Sequence, residues 1–152
     1  MEFDANFGHA HARSGLSLFL GDALCYWASR RQKCIVLSTA EAEMVAASAA
    51  AKELQGTFNF LSDVFPGVTF VRQLRGDNVA ANLLGSAQAS LRRVRHLSLA
   101  HLYVRELTAS GEVPIAYVST LLNRGDVFTK VLGRQKLEPH LPRLGLCDVE
   151  TS

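Results

Sequence analysis

The chain is short of several things, and each shortage removes a class of protein. Only three of its 152 residues are cysteine, Cys25, Cys34 and Cys147. That odd number, without C-x-x-C spacing, suggests neither a disulfide framework nor a zinc site. No run approaches the roughly 18 apolar residues that a membrane-spanning helix requires, so a membrane is not expected as a partner. The opening MEFDANFGHA has neither the basic start nor the apolar run of a secretory signal. A cytoplasmic or nuclear location is therefore expected. There is no internal repeat, no low-complexity linker and little excess charge, with 16 Lys and Arg against 14 Asp and Glu for a net +2.

What remains is the composition of an ordinary globular domain, 48% hydrophobic and 20% charged. A chain of this length can bury a core without staples. Residues 1–152 are thus read as one domain, with a core over about residues 1–132 and a helical tail over about 133–152. The modest net charge is unevenly spread: Arg30, Arg31 and Lys33 form one basic cluster and Arg92, Arg93 and Arg95 another. Such clusters suit a polyanion, although ordinary solvated arginines account for them equally well.

Hydrophobic periodicity supplies the element order. Glu2 to Phe7 alternates polar and apolar, as a half-buried strand does. Gly15 to Leu20 and Ala23 to Trp27 read as two more strands joined at Gly21-Asp22. From Ser38 the period becomes helical and persists to Leu61 or Val64, where Phe65-Pro66-Gly67 stops it. Val68 to Leu74 is strand-like, Asp77 to Leu84 a short helix, His96 to Ser110 a second long helix closed by Gly111, and Val113 to Val118 a last strand. Asp126 opens a helical region broken near Pro139 and Pro142. The order β-β-β-α-β-α-α-β-α implies a mixed sheet with helices packed on it.

Within the first helix, two glutamates stand two residues apart. Ser38-Thr39-Ala40-Glu41 matches a capping box, in which Glu41 and Ser38 satisfy each other's backbone N–H groups. Glu43 falls instead on the apolar side, with Ala46, Ala47, Ala50, Leu54 and Leu61, at about 100° per residue. A carboxylate aimed at a core is costly unless it is paired, protonated or bound to metal; the alternative is that it reaches solvent at the helix end. Asp4, Asp77 and Asp126 also sit on or beside predicted elements. A solvated strand face or a helix cap explains each one singly. Together with Glu43, the four offer the hard oxygen ligands that Mg²⁺ prefers.

Five ordered blocks then resemble one family, the RNase H domain at the C-terminal end of copia-type retrotransposon polyproteins. They are YWASRRQKCIVLSTAEAEMVAAS, GDNVAANLL, RVRHLSLAHLYVRE, GEVPIAYVSTLLNRGDVFTKVL and LPRLGL. The resemblance implies an α/β RNase H-like fold, a five-stranded mixed sheet with its first three strands antiparallel and helices on its faces. It also implies hydrolysis of the RNA strand of an RNA–DNA hybrid with two Mg²⁺ ions, for which Mn²⁺ may stand in. By motif, Asp4, Glu43, Asp77 and Asp126 would be the catalytic ligands. Asp4 would bridge both ions, Asp126 would serve the ion that activates water, and Glu43 and Asp77 would hold the other. Arg30, Arg31, Lys33, Arg92, Arg93 and Arg95 would meet the hybrid backbone. Asn78, with Ser38 or Thr39, would help to sense 2′-hydroxyls, although capping roles suit these residues as well. A reverse transcriptase domain of a parent polyprotein is an implied partner.

The sequence departs from the family pattern in places. The stretch between Asp4 and Gly15 is short, Met44 replaces a usual tyrosine, and Ser119 to Gly125 lacks the histidine of many cellular relatives, leaving Asn123 or Arg124 for any similar role. His9 and His11 form an H-x-H pair in the shortened hairpin, more in keeping with an inert loop than a metal site. A catalytically idle binding module derived from a retroelement is the other reading of this sequence, and a different nuclease on the same fold is a third.

Overall fold

A computed structural model describes residues 12–33, 39–77, 95–129 and 131–146. Two β-strands come first, β1 (Arg13–Leu20) and β2 (Ala23–Arg31), followed by the long helix α1 (Thr39–Val64) and the short strand β3 (Leu74–Gly76). Helix α2 (Arg95–Ala109), strand β4 (Ile115–Tyr117) and the one-turn helix α3 (Arg134–Leu137) complete the order, with 3-10 turns at Thr120–Leu122, Asp126–Phe128, Glu138–His140 and Pro142–Leu144. The fold is mixed α/β.

The hairpin forms because Gly21-Asp22 permits a two-residue loop between Leu20 and Ala23, with the positive φ of 62° carried by Gly21. Alternation then sorts its faces. Ser14, Leu16 and Leu18 of β1 and Ala28 of β2 are buried on one side, where α1 packs. A register shift between Leu18 and Phe19 ends the regular pairing near the turn. β3 and β4 pair in parallel, Leu74 opposite Ile115 and Gly76 opposite Tyr117. Parallel neighbours require a crossover, and α2 lies within it.

The core gathers where α1, α2 and this parallel pair meet: Met44, Ala47, Ala51, Leu74, Val104 and Val113 are all buried, with Leu54, Tyr103 and Leu107 packed around them. Alanines at 47 and 51 allow the close approach that larger side chains would prevent. Met44 is 5% exposed and fills part of this core.

The expected single five-stranded sheet is not what the described residues form. They make two separate two-stranded sheets, β1–β2 and β3–β4. The strand expected at Glu2 to Phe7 and the helix expected at Asp77 to Leu84 lie outside the described residues, apart from Asp77 itself. The strand expected over Val68 to Leu74 is corrected to Leu74–Gly76. The reason is visible in its surroundings: Val68 is 55% and Val71 92% exposed, and backbone pairing starts only where the Leu74 N–H donates to Pro114 O at 3.1 Å. Until then the segment is tied by a side chain. The Arg72 guanidinium lies 3.8 Å from the Phe58 ring centre, bonds Gln55 Oε1 at 2.7 Å and pairs with Glu112. The terminal helical region is indeed broken at its prolines, but into one-turn pieces rather than a continuous helix.

Candidate active site

Both small sheets rest on α1, and between them opens a cleft of about 630 Å³. Its lining includes β1 from Gly15 to Phe19 on one side and Val71 to Asp77, with β3, on the other. Among the described residues β1 pairs only with β2, and β3 only with β4, so each has one strand edge without a ladder partner there. The helix contributes Ala42, Glu43, Ala46, Ala47 and Ala50 to the lining, a set of small side chains that leaves room. Glu43 thus sits as its helical phase predicts, half-buried between the buried Ala42 and Met44, on the side of α1 that faces the cleft.

Asp77 follows β3 directly and lines the same cleft, accepting a hydrogen bond from Thr120 Oγ1 at 3.3 Å. Asp126 lines it from the C-terminal side. Its carboxylate is oriented by Asn123, whose Nδ2 donates to Asp126 Oδ1 at 3.1 Å while its Oδ1 accepts the Gly125 N–H at 3.1 Å. The turn beneath it is closed by Thr129, whose hydroxyl and N–H both donate to Asp126 O. Asn123 therefore has a positioning role at Asp126.

That turn is seated on β1 through Gly15. A Cβ at Gly15 would stand 2.6 Å from Gly125 O and 2.6 Å from Thr129 Cγ2, so only glycine lets strand and turn approach this closely. The structure thus brings Glu43, Asp77 and Asp126 to one cleft from three elements. Asp4 lies outside the described residues. Among the described residues no group of three His, Cys, Asp or Glu side chains is gathered tightly enough to hold a metal ion. The donors are of the kind Mg²⁺ takes, and the described residues contain no closed ligand set.

The basic residues divide differently. Arg30 is exposed but engaged: it donates to the Tyr26 hydroxyl and pairs with Glu53 of α1 at 3.5 Å. Arg31 and Lys33 are exposed at the end of β2. Arg95 is the first residue of α2; Asn78, Arg92 and Arg93, like Ser38, His9 and His11, lie outside the described residues. Arg13, Arg72, Arg75 and Arg124 also line the cleft, with Arg124 stacked 4.3 Å from the Phe19 ring centre.

One buried residue gave no warning in the sequence. Gln32, 5% exposed, donates from Nε2 to Ser14 Oγ and to Ala42 O, each at 2.8 Å, while its N–H donates to Ala12 O at 2.7 Å. It ties the end of the hairpin to the first turns of α1, one residue before Glu43. A glutamine following two arginines reads as surface, and nothing within a few positions of Gln32 signals the partners it finds on β1 and α1.

Comparison with known proteins gives these positions a context. The retrovirus-related Pol polyproteins from transposons RE1 and RE2 of Arabidopsis thaliana are each 27% identical to this chain over 139 residues, 91% of the chain and 10% of the polyprotein. The corresponding polyprotein from transposon TNT 1-94 of Nicotiana tabacum is 32% identical over 127 residues, 81% of the chain and 9% of the polyprotein. The homologues are transposon Pol polyproteins. The chain spans about one tenth of the length of these curated relatives. No family model and no solved structure matches it. Among the described residues no helix is long and apolar enough to cross a membrane.

Proposed function

We propose that the chain is a metal-dependent ribonuclease H that hydrolyses the RNA strand of an RNA–DNA hybrid, with Asp4, Glu43, Asp77 and Asp126 as ligands for two Mg²⁺ ions. The observation that carries this reading is the convergence of Glu43, Asp77 and Asp126 on one alanine-lined cleft, from a helix, a strand end and a turn. Homology to transposon Pol polyproteins supports it. In this reading Asp4 is the fourth acid of the set.

The roles of the chain's own residues follow from their supports. Glu43 is held by a helix whose next residue is buried, so its position is set by the core. Asp126 is aimed by Asn123. Clustered carboxylates repel one another and a phosphate, and the arginines lining the cleft offset part of that field. When bound, the ion pair supplies Lewis-acid activation of water and stabilises the leaving oxygen. Recognition of the backbone falls to the arginines and sets salt dependence rather than sequence choice.

Cleavage of an end-labelled RNA–DNA hybrid in Mg²⁺ or Mn²⁺ tests the proposal, with Asp77→Asn as the control. The wild type should cut the RNA strand and the variant should lose at least about a hundredfold, the upper end of what even an indirect partner of a metal contributes. A folded wild type that binds hybrid without cutting it would replace this reading with the catalytically idle binding module.

A further inference from the structure

We propose that the outer face of the β1–β2 hairpin, opposite the face covered by α1, docks a nucleic-acid backbone, with Arg13 and Arg31 taking a phosphate and Trp27 stacking on a neighbouring base or sugar. The proposal rests on the nuclease reading for the identity of the nucleic acid and extends it to Arg13 and Trp27, placing Arg31 with them on one face.

The first observation is a pairing that folding alone disfavours. Arg13 and Arg31 are directly opposite each other across the antiparallel ladder, both exposed, and like charges so placed repel. Among the described residues neither has a carboxylate partner. Arg13 Nη1 instead donates to Ser29 Oγ at 3.2 Å, which lays its guanidinium along the hairpin. Two arginines opposite each other on one exposed face give a phosphate two guanidinium donors within reach.

The second observation is what continues that face. Ser29 pairs with Gly15 and Trp27 with Ser17, so Arg31, Ser29 and Trp27 follow one another on the same side of β2 at the two-residue period of a strand. Trp27 is 61% exposed. The stripe of Trp27, Ser29, Arg31 and Arg13 carries two positive charges and no carboxylate. It has the mixture of stacking ring and positive charge that tracks a nucleic-acid strand.

The third is where the stripe leads. Gly15 lies between Arg13 and Ser17 on this face and touches the turn that carries Asp126. Arg13 itself lines the cleft with Glu43, Asp77 and Asp126. That turn covers the face at Gly15, so a strand laid along the exposed Trp27, Ser29 and Arg31 row of β2 runs beside the turn that carries Asp126.

Trp27 is the only tryptophan in the chain, so its fluorescence reports this surface alone. The test uses the 152-residue chain and a short labelled RNA–DNA hybrid in EDTA over a salt series, with binding read by anisotropy and by Trp27 emission. Hybrid binding should quench Trp27. Arg13→Ala with Arg31→Ala should lower the slope of log affinity against log salt by about one, and Trp27→Leu should weaken binding about tenfold with the slope unchanged. The double arginine variant should melt no lower than the wild type, since it removes a repulsion. Binding with unchanged emission and unchanged slope, or no hybrid binding at low salt, would overturn the proposal, as would quenching by a protein partner and not by hybrid. Both signatures without cleavage in Mg²⁺ would leave this surface standing and remove the nuclease reading; cleavage without them would do the reverse.

Discussion

Helix α1 turns two adjacent faces to two different tasks. On one, Met44, Ala47 and Ala51 are buried, packed toward α2 and the β3–β4 pair. On the other, Glu43, Ala46 and Ala50 border a cleft. The first face is complementary to its neighbours and the second holds open space around a carboxylate. One helix thereby fixes the position of a charged group by burying its neighbours, and Ala42 and Met44 on either side of Glu43 are the residues that do so. Packing and the cleft-facing carboxylate are thus carried by largely separate residues, with Ala47 and Ala50 shared between them.

That separation can be broken from the packed side. Met44→Ala removes most of a side chain from the core and should cost about 2–5 kcal/mol, read as a lower denaturant midpoint. If the faces are independent, the fraction that remains folded keeps whatever activity the wild type has. Activity lost ahead of the fold would mean that the core sets Glu43 more finely than this.

A smaller effect should come from the junction between hairpin and helix. Gln32→Leu removes the donor shared by Ser14 Oγ and Ala42 O and should cost about 1–3 kcal/mol. Combined with Ser14→Ala, the loss should be less than the sum of the two single losses, because both remove the same bond. Strict additivity would show that Gln32 acts through the helix alone.

Much of this arrangement was legible beforehand where local chemistry decides it. The Gly21-Asp22 loop, the helix from Thr39 to Val64 and the stop at Gly111 all follow from residues that act within a few positions of themselves. The phase of Glu43 was legible for the same reason. Val68 to Gln73 misled because its valines and threonine favour a strand, whereas a strand needs a neighbour, and Arg72 is drawn to Phe58, Gln55 and Glu112 instead. Gln32 and the opposed Arg13 and Arg31 were illegible because each is defined by a partner on another element, and the ladder register that makes the arginines neighbours appears only in three dimensions. Asp77 and Asp126 each read singly as an N-cap; their places beside predicted elements suggested a shared ligand set with Glu43, and the family resemblance supplied the roles.

The comparison of the two glutamates tests the central claim most directly. Glu41 lies in the first turn of α1, and Glu43 lines the cleft. Hybrid cleavage in Mg²⁺ by Glu41→Gln and Glu43→Gln, each with its melting temperature, separates a helix-end role from a catalytic one. The account predicts that Glu43→Gln abolishes cleavage at an unchanged melting temperature, while Glu41→Gln keeps cleavage and loses at most about 1 kcal/mol of stability. Equal cleavage by the two variants would contradict it.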